Sequence, residues 1–207
     1  MNICFFSGSR SEYGINNKLL RTLIKSKSFK SYFVVTGLNK NKRLGMTLDD
    51  IKLDKFKVSK KIDINVERSN SDQISKNFSK ILSEMSSFFA KKNISILIVI
   101  GDRYETLSAV LAAYINRIPV AHIHGGEKTL NSLDDNFRHS ISKFANLHFV
   151  SHKDHKKRLI QLGESQKHIH VVGGLGAEII KETGIINKKT LESKLKLIFQ
   201  DKIMVVN

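Results

Sequence analysis

Short apolar runs rich in β-branched residues alternate along the chain with stretches of helical periodicity. The apolar runs predict strands over 2–6, 32–37, 94–100, 118–123, 147–151 and 169–174. The longest, Ile94-Ser95-Ile96-Leu97-Ile98-Val99-Ile100, has the near-continuous hydrophobicity of a parallel strand covered on both faces. Between these runs, helices are predicted over 15–27, 71–91, 104–116, 133–145, 153–162 and about 176–183. Ile15, Leu19, Leu20, Leu23 and Ile24 mark one apolar stripe, and Ile74, Phe78, Ile81, Leu82, Met85, Phe88 and Phe89 another. Gly163 supplies a helix stop. The stretch 38–70 is polar, with a short helix start at 46–51. This strand–helix alternation with short connections predicts an α/β fold: a doubly wound, Rossmann-like parallel sheet. There is one proline and no internal repeat. A lysine-rich amphipathic helix is predicted over 188–200, and 201–207 reads as the first strand of a further domain.

Asp102 follows Gly101 at the end of the 94–100 run, so its carboxylate sits at the strand edge where open α/β sheets bind ligands. The next such edge is dense in ionisable groups: His122, His124, Glu127, Asp134, Asp135, Arg138 and His139. Each residue taken singly has a plainer reading. Asp102 with Glu105 three residues on suits a helix cap and capping box, Ser11 a cap in the first turn, and Asp134 or Asp135 a cap for the helix they open. Arg138 and His139, one turn further on, bring cations to the same helix end as those carboxylates. His122 and His124, two apart, would share a strand face. With Glu127, Asp134 or His139 they could ligate a metal, which makes a metal-dependent hydrolase an alternative. No HExxH or similarly tight ligand spacing supports it. The turn from Ser7 to Gly14 could cradle a phosphate through Gly8, free helix amides and Arg10, but it is neither a Walker A loop nor a GxGxxG fingerprint.

Charge narrows the partners. The chain of 207 residues carries a formal net charge of +16, yet only eight of its 35 basic residues are arginine. The lysines are dispersed and lack the aromatic interleaving of single-strand binders. A solvated, lysine-rich surface is expected, with attraction of a small anionic substrate secondary to it and no nucleic-acid partner. Cys4 is the only cysteine, so no internal disulfide forms. The absence of a signal-like start and of an apolar run near ~18 residues predicts a cytoplasmic protein without a membrane partner.

Together, Gly101-Asp102-Arg103-Tyr104-Glu105, the segment from Pro119 to Glu127, Asp134-Asp135-x-x-Arg138-His139-x-Ile141-x-Lys143 and His148-Phe149 resemble the hydrolysing UDP-N-acetylglucosamine 2-epimerases. The opening Gly8-Ser9-Arg10-Ser11-Glu12-Tyr13-Gly14, Val35-Thr36-Gly37 and Val172-Gly173-Gly174-Leu175-Gly176 fit the same pattern, so the resemblance spans roughly 2–185. Such enzymes, of sialic and related nonulosonic acid pathways, release N-acetylmannosamine and UDP. The resemblance implies a two-domain glycosyltransferase-B-like fold with substrate in the cleft. Residues 1–187 would form its Rossmann-like N-terminal half, and 188–207 the start of a truncated second domain. It implies no cofactor and no metal. Asp102 and Asp134 match family carboxylates implicated in catalysis. His124 falls where many members carry glutamate, with Glu127 next along, and Asn39 where the family often has histidine. Arg10, Arg103, Arg138 and His139 would bind substrate. Because the family's second domain binds the uridine, the alternatives are an inactive module or one needing a partner chain, with homo-oligomerisation possible.

Overall fold

The computed structural model describes residues 1–36, 51, 56–65, 70–177 and 186–200, with the side chains of Arg10 and Ser11 outside that set. Two compact units divide the chain, Met1–Leu175 and Gly176–Asn207. Among its described residues the first contains seven strands, β1 (Asn2–Ser7), β2 (Lys30–Thr36), β3 (Val58–Ile62), β4 (Ile96–Ile100), β5 (Val120–Ile123), β6 (Leu147–Val150) and β7 (Ile169–Val171). Its helices are α1 (Arg10–Lys25), α2 (Ser71–Lys91), α3 (Tyr104–Ile115), α4 (Leu133–Phe144) and α5 (Lys153–Gln161). The strands form one all-parallel sheet in the order β3-β2-β1-β4-β5-β6-β7. Chain order reverses between β1 and β4, the switch point where doubly wound sheets open a crevice.

The alternation of strand side chains builds a core on each face of the sheet. Cys4 and Phe6 of β1 join Val34, Leu97, Val99, Ile81 and Met85 on one side, whereas Phe5 joins Phe33, Val35, Tyr13, Leu20 and Ile51 on the other. The α3 helix is the most enclosed, with Thr106, Ser108, Ala109, Val110, Ala112 and Ala113 all buried, as expected of a crossover helix with little polar surface. A smaller cluster of Val150, Leu159 and Ile169 holds α5 beside β6 and β7.

Two departures from the sequence reading have local causes. The first helix begins at Arg10, five residues before the expected 15. Ser9, not Ser11, is its cap: Ser9 and Glu12 form a reciprocal capping box. The strand β3 falls in the stretch read as polar. Its exposure alternates along Val58-Ser59-Lys60-Lys61-Ile62 because it is an edge strand paired on one side only, where lysines are tolerated. The helix start expected at 46–51 lies outside the described residues except for Ile51, as do Asn39, most of the helix expected at 176–183 and the strand expected after 201. Within the second unit a helix, α6, spans Lys188–Leu195, shorter than the expected 188–200, and closes at Lys196 in the left-handed conformation. Among the described residues, no helix is long and apolar enough to cross a membrane.

Candidate active site

A cavity of about 350 Å3 opens at the C-terminal ends of the central strands. Its lining comes from Glu12 and Ile15 of α1, Ile100 of β4, the following Gly101, Asp102 and Arg103, His124 and Glu127 after β5, and Asp134 and Arg138 of α4. Asp102, His124, Glu127, Asp134, Arg103 and Arg138, six of the eight residues singled out by sequence, therefore share one cavity. His139 does not line it; its ring lies 3.6 Å from the Asp135 carboxylate. Arg10 opens α1, and its side chain is outside the described set.

Asp102 is not the helix cap. Arg103 occupies that position without a side-chain cap, and Glu105 turns instead to the Arg103 guanidinium in a two-pronged contact of 3.1 and 3.0 Å. Glu105 is fully buried. Burial works against the Arg103 charge, and the carboxylate partner holds it on. This frees Asp102 to meet Arg138 across the cavity floor. Arg138 also contacts Asp135 at 3.3 Å and the Thr129 hydroxyl at 3.2 Å, and only 5% of it is exposed. Ser132, rather than either aspartate, caps α4, which leaves Asp134 to line the cavity.

The two histidines of the β5 edge part company. His122 stays in the strand with its ring fully buried, bonded to Ser142 Oγ at 3.0 Å and the Gly101 carbonyl at 2.8 Å. Burial lowers its pKa to about 3, so it is a neutral core residue with both nitrogens occupied. The strand ends at Ile123, and His124 has φ +63°, so the two rings do not share a face as the metal-site reading requires. Among the described residues, no group of three or more candidate ligands is placed to hold a metal. His124 instead pairs with Glu127, Nδ1 to Oε1, at 2.6 Å. Burial would raise the Glu127 pKa, but hydrogen bonds from His124 and Ser151 reverse this and hold it near about 2.

Sequence reasoning assigned no role to Glu12. Its carboxyl accepts from the Gly8 amide at 2.5 Å, the Ser9 amide at 3.3 Å and the Thr106 hydroxyl at 3.3 Å. Burial raises its pKa to about 8 despite those amides and the nearby Arg103 charge. The signal available was the Ser9-x-x-Glu12 spacing, which announces a cap rather than a cavity wall. Between about pH 4.5 and about pH 8 the folded protein keeps a proton on Glu12 that the unfolded chain has released. The stability this confers is complete below that window and is lost as pH rises through it. The expected result is that Glu12→Gln gains stability relative to the parent from pH 5 to pH 8 in urea unfolding at stepped pH; a pH-independent difference contradicts the assignment.

Two polar atoms of the cavity-lining residues are buried without a protein partner, His124 Nε2 and Arg138 Nε. Both atoms have almost no accessible surface, so they are polar groups left unsatisfied within the wall of the cavity. Carboxylates, an imidazole and a guanidinium around such a space can exchange protons with a substrate and stabilise a departing anion.

The chain matches known proteins along its length. Residues 21–206 match the family model described as UDP-N-acetylglucosamine 2-epimerase. It is 38% identical over 204 residues to the Escherichia coli polysialic acid biosynthesis protein P7, and 35% identical over 204 residues to a Campylobacter jejuni GDP/UDP-N,N'-diacetylbacillosamine 2-epimerase (hydrolyzing). Each alignment covers 99% of this chain, and 52% and 53% of those relatives. The chain thus spans about half the length of the curated relatives it matches. In fold it resembles the UDP-N-acetylglucosamine 2-epimerase of Rickettsia bellii (TM-score 0.79, 16% identity, 95% of this chain and 51% of that one). The Neisseria meningitidis UDP-GlcNAc 2-epimerase bound to UDP-GlcNAc is similar too (TM-score 0.75, 23% identity, 95% and 54%). With a family model matched over residues 21–206, the chain belongs to the UDP-N-acetylglucosamine 2-epimerase family.

Proposed function

We propose that this chain carries the acid–base half of a hydrolysing UDP-N-acetylglucosamine 2-epimerase site, giving N-acetylmannosamine and UDP for nonulosonic acid synthesis. The observation that carries this reading is the grouping of Asp102, His124, Glu127 and Asp134 around one cavity with Arg138 beside them. In the first step a base removes the proton on C2 while the C1–O bond to UDP breaks, which leaves a C1–C2 double bond. In the second, water adds hydroxyl to C1 and a proton returns to C2 from the opposite face. Asp102 or Asp134 acts as base in one step and acid in the other, with His124 and Glu127 supporting. Arg10, Arg103 and Arg138 offset the charge of the leaving diphosphate. This chemistry needs neither a nicotinamide cofactor nor a metal.

The test is incubation of the full chain with UDP-N-acetylglucosamine, following free UDP and N-acetylmannosamine. Both products are expected. Because the chain spans about half of its relatives, turnover is expected to rise when the remaining half is added as a separate chain. Recovery of unchanged UDP-sugar under both conditions would overturn the assignment. The names of relatives at 35% and 32% identity favour a second substrate, the UDP-linked diacetamido sugar, as a parallel arm of the assay.

A further inference from the structure

The His124–Glu127 pair continues beyond the cavity. Ser151 Oγ donates to the same Glu127 Oε1 at 2.8 Å, and Ser151 Oγ lies 3.0 Å from His155 Nδ1. Neither Ser151, just past β6, nor His155, in the first turns of α5, lines the cavity. We propose that Ser151 and His155 are positioning residues. They hold Glu127 so that its carboxylate accepts from His124 Nδ1–H and fixes the orientation of that ring beside the cavity.

The proton positions follow from donor counting. An ionised carboxylate only accepts, so His124 Nδ1 must donate to it. The single hydroxyl proton of Ser151 is spent on Glu127, so Ser151 can only accept from His155, whose Nδ1 then carries a proton. One arrangement satisfies all three contacts: His155 Nδ1–H to Ser151, Ser151 O–H to Glu127, and His124 Nδ1–H to Glu127. The low pKa of Glu127 agrees with its part as a permanent acceptor, and burial lowers the His155 pKa despite the Glu127 charge. At the far end of the chain of bonds, His124 Nε2 is the atom left without a partner.

The same segment grips the turn through its backbone. A Cβ on Gly126, which has φ +73°, would lie 2.5 Å from the His155 carbonyl oxygen, so only glycine fits there. The Arg158 guanidinium donates to the Gly126 carbonyl, and the His124 amide donates to the Phe149 carbonyl at 3.0 Å. The turn holding His124 in its left-handed conformation is therefore fixed from β6 and α5 by side chains and main chain together. The supporting role of His124 in turnover rests on the epimerase reading; the tautomer does not.

Nitrogen-15 NMR of the imidazole rings in the substrate-free full chain at pH 7.5 tests this directly. The parent is expected to show His124 as the Nδ1–H tautomer. Ser151→Ala is expected to lower the ratio of Nδ1–H to Nε2–H about tenfold, because Glu127 is no longer held against the His124 ring and that hydrogen bond to a charged group weakens, and Ser151→Thr to restore it. Glu127→Gln, which can donate as well as accept, is expected to erase the preference. Amide spectra matching the parent show that each variant is folded. An Nε2–H tautomer in the parent, or an unchanged ratio in Ser151→Ala, overturns the proposal. Since no substrate is present, absence of UDP release alongside the expected tautomers counts against the epimerase assignment alone.

Discussion

Arg138→Met is expected to lower stability by about 3–5 kcal/mol, measured as a fall in the urea midpoint at neutral pH. The substitution conserves much of the side-chain volume but leaves Asp102 and Asp135 without their shared cation. Removing one member of a largely buried ion pair costs more than the pair itself contributes, because the remaining charges are stranded where water solvates them poorly. Two controls separate this from lost packing. Adding Asp102→Asn to Arg138→Met is expected to recover part of the loss, and so is lowering the pH far enough to protonate the carboxylates. A deficit unchanged in both would mean that Arg138 acts through its methylenes rather than its charge.

Asp102→Asn is expected to reduce UDP release by about 10³-fold, the scale of a lost general acid or base. The asparagine keeps the shape and still accepts a hydrogen bond from Arg138, so folding is expected to survive. The expected signature is a fall in kcat with little change in KM, because proton transfer rather than sugar binding is lost. Unchanged turnover would remove Asp102 from the mechanism and leave Asp134 as the principal carboxylate.

How legible these residues were depends on how far apart their partners lie in sequence. The inner strands could be read because runs such as 94–100 are apolar on both faces, whereas β3 could not, since an edge strand with Lys60 and Lys61 looks like a loop. The grouping of His124 with Glu127 was visible as a spacing of three. Asp102 was open to misreading because its local pattern with Glu105 fits a capping box. Its true partner, Arg138, lies 36 positions away and is brought near only by the sheet order. Glu12 was hidden for a related reason, since its cap role is local and its place in the cavity wall arises from β1 lying next to β4. Ser151 and His155 carry no motif at all; their spacing of four along one helix start acquires meaning only beside Glu127.

In the proposed reaction a proton leaves and returns at C2 of the sugar within this cavity. Incubating UDP-N-acetylglucosamine in heavy water with the chain, alone and together with a second chain matching the rest of its relatives' length, puts that step to the test. The predicted result is free UDP together with N-acetylmannosamine that carries deuterium at C2, both lost in Asp102→Asn. UDP released alongside N-acetylglucosamine that keeps its original C2 hydrogen would instead mean simple hydrolysis at C1, and would contradict the assignment.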